Sequence, residues 1–210
     1  MNQETYMKQS QSEVRLFAAL DIPEKNDQGK VIDFAAMQDE AAQLLPGFRP
    51  IYPLHVTLIF FGATFAHLIE NIKKGIESSL EQFKQEVLGH ANGISGLSIK
   101  SGADFMGKNA ISITLIPGDL IAQLATYIEH GCDKNRVGYI PQRGKFVPHA
   151  TIGRIKTIGS TKAALQAKAQ ELKSPIGARS EYNETFTARQ VTLYKSLGHS
   201  EYEVLATFKL

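Results

Sequence analysis

Tryptophan is absent from this chain of 210 residues and cysteine occurs once, at Cys132. A lone thiol excludes an intrachain disulfide and a thiolate zinc cluster, and it fits a reducing compartment. Long apolar runs are missing as well. Stretches such as Val56 to Phe61 are interrupted by polar residues well before the roughly 18 needed to cross a bilayer, which leaves no transmembrane candidate. The opening segment, residues 1–13, is polar and has no apolar h-region, so it reads as a loosely ordered leader and not as a secretory signal. These absences together predict a cytoplasmic protein with no membrane partner. Charge of either sign is nearly balanced at +2, too little to announce a nucleic-acid binder by itself. No short repeat or low-complexity tract occurs, which excludes a solenoid.

What remains is an ordinary globular composition, 43% hydrophobic and 21% charged, on a chain long enough for one body of two lobes. The charge is unevenly spread. Between Lys134 and Gln170 there is no acidic residue, while Lys134, Arg136, Arg143, Lys145, Arg154, Lys156, Lys162 and Lys168 all fall there. Part of this block solvates a helix face; the remainder favours an anionic ligand.

Hydrophobic periodicity predicts strands at Val14 to Ile22, Leu54 to Phe61 and Val147 to Lys156. Two β-rich runs, Leu97 to Met106 and Ala110 to Ile116, flank the short polar link Gly107-Lys108-Asn109 and predict a hairpin. Thr185 to Ser196 and Tyr202 to Leu210 read as closing strands around a Gly198-His199 turn. Helical spacing covers Lys30 to Leu45, Ala66 to Leu88, Gly118 to Lys134 and Ser160 to Leu172. The sum is an α+β protein in which pairs of strands alternate with helices.

One long-range echo stands out. His55-Val56-Thr57-Leu58 recurs as His149-Ala150-Thr151-Ile152, once in each half. Alternation along a strand puts His and Thr on one face. Val56, Leu58 and Phe60, or Ala150 and Ile152, are expected on the other face, in apolar packing. If the two halves face each other, two imidazoles and two hydroxyls surround one point. Such a set suits phosphoryl chemistry without a metal. Imidazoles titrating near neutrality can share the acid and base roles, and threonine hydroxyls can donate to the nonbridging oxygens of a phosphate. One such tetrapeptide is weak evidence; two are good evidence. No zinc-ligand spacing, P-loop string or dinucleotide fingerprint occurs, so neither metal nor cofactor is expected. Cys132 has no catalytic signature around it and reads as a small apolar group.

These paired tetrapeptides resemble those of the 2H phosphoesterases. Further phrases are similar to the RNA 2′,3′-cyclic phosphodiesterases, also called 2′-5′ RNA ligase-like proteins. They are Arg15-Leu16-Phe17-Ala18-Ala19, His55 through Gly62, Phe146-Val147-Pro148-His149-Ala150-Thr151-Ile152-Gly153-Arg154, and the closing Val191 to Ser196 with Tyr202 to Leu205. The resemblance implies a single bilobal domain over residues 14–210, with an antiparallel sheet in each lobe, helices on the outer faces and a central groove. It implies metal-independent opening of RNA 2′,3′-cyclic phosphate ends to 2′-phosphates. By analogy His149 is the general base, His55 the general acid, and Thr57 and Thr151 hold the phosphate. Arg154 matches the family's basic residue after the second motif, although its strand parity differs from that of His149 and Thr151. Phe146 and Tyr52 are candidates to stack on a terminal base.

The chain departs from the family pattern before the first histidine. It has Arg49-Pro50-Ile51-Tyr52-Pro53-Leu54 where a tryptophan and a Pro-Glu-Asn segment are usual. The expected partners are RNA ends or small cyclic nucleotides, bound by a monomer. Two alternatives stay open: a phosphodiesterase on 2′-5′-linked oligonucleotides or a small cyclic nucleotide, and a non-catalytic module that binds RNA ends.

Overall fold

A computed structural model describes residues 13–100, 102–106, 109–142, 144–156, 162–172 and 185–210. The expected leader lies outside this set except for Glu13, which opens the first strand. In chain order the elements are β1 (Glu13–Asp21), α1 (Phe34–Leu44), β2 (Phe48–Pro50), β3 (His55–Phe65), α2 (Ile69–Phe83), β4 (Ile94–Ile99), β5 (Asp104–Met106) and β6 (Ala110–Ile116). They continue with α3 (Asp119–Lys134), β7 (His149–Ile155), α4 (Lys162–Gln170), β8 (Phe186–Ala188), β9 (Gln190–Gly198) and β10 (Glu201–Lys209). The order β1-α1-β3-α2 recurs as β6-α3-β7-α4, so the duplication seen in the tetrapeptides extends to whole elements.

All strand pairs are antiparallel, in the order β10-β9-β1-β3-β7-β6-β4-β8, with β2 beside β7 and β5 beside β6. The sheets of the two lobes meet at a single pair, Val56 opposite Ala150. Each half also lends backbone to the other half's motif strand. β2, from the first half, pairs with β7, and Ile140, from the second, bridges Phe60 on β3. The helices follow suit: α1 packs on β2 and β7, and α3 packs on β3 and α2. The α2–α3 crossing is close because Gly131 has no side chain; a Cβ there would collide with the Ser79 hydroxyl and lie 2.6 Å from the Gly75 carbonyl oxygen.

One large core fills the space between the sheets and the helices, and it takes in Cys132. Burial pushes that thiol up to about 12, which leaves it protonated and inert at neutral pH. A second, small cluster of Phe17, Ala19 and Tyr194, with Tyr202 against it, is separate from the main core. Five consecutive residues of β1, Leu16 to Leu20, are therefore buried: alternate side chains enter one cluster or the other.

Two expected strands prove to be divided. The run Leu97 to Met106 breaks before Asp104, and its two parts, β4 and β5, both pair with β6, at opposite ends of that strand. The run Thr185 to Ser196 breaks at Arg189 because β8 pairs with β4 in one lobe and β9 pairs with β1 in the other. Both breaks mark places where the chain changes partner, which local composition does not encode. The hairpin from β9 to β10 turns through His199 and Ser200, both at positive φ, as a two-residue turn between right-twisted strands requires.

Candidate active site

His55 and His149 each stand at the first position of a motif strand. Counting outward from the Val56–Ala150 pair in antiparallel register sets His55 opposite Thr151 and Thr57 opposite His149, all on the face opposite Val56 and Ala150. Those four side chains are half-buried, whereas Val56, Leu58, Ala150 and Ile152 are wholly inside the core. The tetrapeptides thus come together around one point.

Both imidazoles are fixed in the same way. His55 Nδ1 donates to the Pro53 carbonyl and His149 Nδ1 to the Val147 carbonyl, each at 2.8 Å. A carbonyl oxygen only accepts, so Nδ1 carries the proton and Nε2 is the nitrogen left for chemistry in both rings. The neutral ring offers a lone pair at Nε2; the charged ring offers a proton there.

The two histidines differ in their surroundings. His55 is enclosed by Phe17, Tyr194 and Tyr202, with ring centroids 5.1, 5.4 and 5.4 Å away. Ala19, between Phe17 and the motif, is small enough to leave this space. Burial pulls the His55 pKa below its ordinary value, and the nearby His149 acts in the same sense. The Pro53 carbonyl and the Asp21 carboxylate oppose that pull. Asp21 is the cross-strand neighbour of His55 on β1. Its carboxylate accepts from Gln190 Nε2 (2.6 Å), Thr192 Oγ1 (2.6 Å) and Tyr194 Oη (2.9 Å). The threonines differ too. Thr151 Oγ1 shares a 3.2 Å hydrogen bond with Ser112 Oγ, whereas Thr57 faces the methyl group of Ala19.

β-Bulges decide what lies beyond the threonines. On β7 the register passes from Ser112–Thr151 to Ile111–Gly153, leaving Ile152 as an extra residue. On β3 it passes from Ala19–Thr57 to Ala18–Ile59, leaving Leu58 extra. Each bulge flips the alternation that follows it, and the first seven residues of β3 and β7 have the same burial pattern. Arg154 is therefore restored to the face of His149 and Thr151, despite its position in the sequence. For the same reason Phe60 does not pack inward as alternation predicts: it is 50% exposed, on the face of His55 and Thr57. Each bulge carbonyl is held by a glutamine. Gln38 Nε2 donates to Ile152 O (2.8 Å), joined by the Ile51 amide (3.1 Å), and Gln142 Nε2 donates to Leu58 O (3.2 Å). Gly153 makes room on the other side, since a Cβ there would run into the Phe48 ring.

The remaining candidates divide. Arg154 is exposed, and its Nη1 donates to Asn109 Oδ1 at 3.0 Å. Tyr52 is exposed two residues beyond β2. Phe146 is half-buried and packed against the main core. Arg143 lies outside the described residues. Phe60, Asp21 and Ser112 were not legible as site residues: the first depends on a bulge, and the other two on which strand lies alongside. Among the described residues no group of three or more His, Cys, Asp or Glu is placed to hold a metal ion, and no helix is long and apolar enough to cross a membrane.

Solved structures share this arrangement of elements. Escherichia coli LigT, crystallised with 3′-AMP, superposes with a TM-score of 0.60 over 95% of this chain and 99% of its own, at 18% identity. The chain has the 2H phosphoesterase fold. TT0787 of Thermus thermophilus also carries this fold, at a TM-score of 0.60 and 18% identity over 93% of this chain and 97% of its own. So does the MHV ns2 PDE domain, at 0.55 and 11% over 87% and 99%. No protein-family model matches the sequence, and no curated protein does.

Proposed function

We propose that the protein hydrolyses 2′,3′-cyclic phosphates at RNA ends to 2′-phosphates without a metal ion. The observation that carries this reading is the meeting of two identically tethered imidazoles and two threonine hydroxyls at one pairing point between β3 and β7. Support also comes from the fold, which LigT shares, a protein crystallised with 3′-AMP and with phosphate.

In this mechanism His149, neutral at Nε2, takes a proton from water as the water oxygen bonds to phosphorus. The bond from phosphorus to O3′ breaks, and His55, charged at Nε2, gives its proton to that departing oxygen. One proton enters the site and one leaves it, so the pair ends with its charge states exchanged and resets with solvent. Thr57 and Thr151 donate to the nonbridging oxygens, where charge must be held. When Ser112 is the donor of the bond that it shares with Thr151, the threonine proton is free for the phosphate. Phe60 and Tyr52 offer exposed rings beside the site for a base. The test is turnover of a nucleoside 2′,3′-cyclic phosphate in excess EDTA, with the product read by chromatography. Undiminished release of the 2′-phosphate is expected; loss of activity in EDTA, or a 3′-phosphate product, overturns the mechanism.

The acid role is given to His55 by the resemblance, although burial on balance lowers its pKa. A buried imidazole with no acidic neighbour loses its proton too readily to serve as an acid. The carboxylate opposite His55 opposes that loss. Asp21→Asn keeps the size and an acceptor but removes the charge, so the His55 imidazolium deprotonates at lower pH. An acid must be protonated to act, so the alkaline limb of the bell-shaped kcat/KM profile moves to lower pH while the acid limb stays. Movement of the acid limb instead would exchange the roles of His55 and His149.

A further inference from the structure

Arg154 does not stand alone. Its cross-strand partner on β2 is Arg49, and directly opposed residues of an antiparallel pair share a face with Cβ atoms about 5 Å apart. Like charges in that position are destabilising. Both side chains are exposed, and among the described residues neither is in an ion pair. The bulge at Ile152 turns this pair onto the face that carries His149 and Thr151. The pair lies three residues along β7 from Thr151, a distance of about 10 Å at 3.3 Å per residue, on the side of the groove where His55 stands. Tyr52, exposed, follows β2 at the same end. Two unneutralised guanidiniums one step from a phosphate site, with an aromatic ring beside them, match a second phosphate on the same strand.

Resting on the function proposed above, we infer that Arg49 and Arg154 together clamp the internucleotide phosphate preceding the cyclic end, so that the enzyme selects RNA ends over mononucleosides. Arg49 belongs to the segment in which this chain departs from the pattern of the proteins it resembles, and β2 delivers it across the lobe boundary to β7. A mononucleoside 2′,3′-cyclic phosphate has no second phosphate and gains nothing from the pair. An oligonucleotide end gains a bidentate, charge-assisted contact.

The test compares kcat/KM for a trinucleotide ending in a 2′,3′-cyclic phosphate with that for the mononucleoside 2′,3′-cyclic phosphate, across a salt series. The wild type should prefer the trinucleotide. Arg49→Gln should lose roughly tenfold on the trinucleotide, the size of one charged contact, with the mononucleoside unaffected, which also reports an intact fold. The slope of log kcat/KM against log salt should become shallower by about 0.7, the value for one phosphate on a single strand. Arg49→Lys, a point charge without the fork, should recover part of the preference. Equal losses on both substrates, or no loss on either, overturn the clamp. If the wild type turns over neither substrate, the proposed reaction has failed. The clamp is then judged by binding of a 3′-phosphorylated trinucleotide, where equal affinities for wild type and Arg49→Gln overturn it.

Discussion

Replacing either His55 or His149 by alanine is expected to lower kcat on a nucleoside 2′,3′-cyclic phosphate by a factor on the order of 10²–10⁴. Two losses of this size, one from each lobe, follow only if both imidazoles transfer protons at the same phosphorus. Each ring is anchored by one hydrogen bond to a carbonyl two residues earlier, and neither belongs to the main core. The thermal midpoint of His149→Ala should stay close to that of the wild type, whereas His55→Ala also empties the space among Phe17, Tyr194 and Tyr202 and should lower it. The limbs of the pH profile provide a second readout. On the proposed roles, His149→Ala should abolish the acid limb and His55→Ala the alkaline limb. A variant of either histidine that turns over at the wild-type rate would defeat the mechanism.

The next largest effect is expected from the hydroxyls. Thr57→Val and Thr151→Val preserve shape and strand preference while deleting one donor to the nonbridging oxygens, and each should cost roughly 10²–10³ in kcat. Substrate affinity should change less than turnover, because the charge on those oxygens is greatest in the transition state. Thr151→Ser should retain most activity, since it keeps the hydroxyl beside Ser112. Wild-type turnover in both valine variants would remove the threonines from the chemistry.

The two halves carry equivalent motifs but unlike neighbours. Beyond Thr57 the bulge presents Phe60; beyond Thr151 the matching bulge presents Arg154. One arm offers an aromatic ring and the other a cation paired with Arg49. His55 has a carboxylate across the sheet, and His149 faces Thr114 on β6. The division arises from side chains on otherwise matching backbone.

The amino-acid sequence by itself determined the alternation of strands and helices, the duplication, and the presence of a histidine and a threonine on one face of each motif strand. The alternation and the shared face rest on local periodicity, which any segment carries within itself, and the duplication on a tetrapeptide repeated in each half. Only the tertiary structure decided that Leu58 and Ile152 are extra residues, that Asp21 lies against His55, and that Arg49 stands opposite Arg154. It also decided that Phe146 leans on the core while Phe60 faces the groove. Those facts depend on register between strands distant in the chain. A shift of one residue there exchanges the two faces of every side chain that follows, and no stretch of sequence encodes its own partner's alignment.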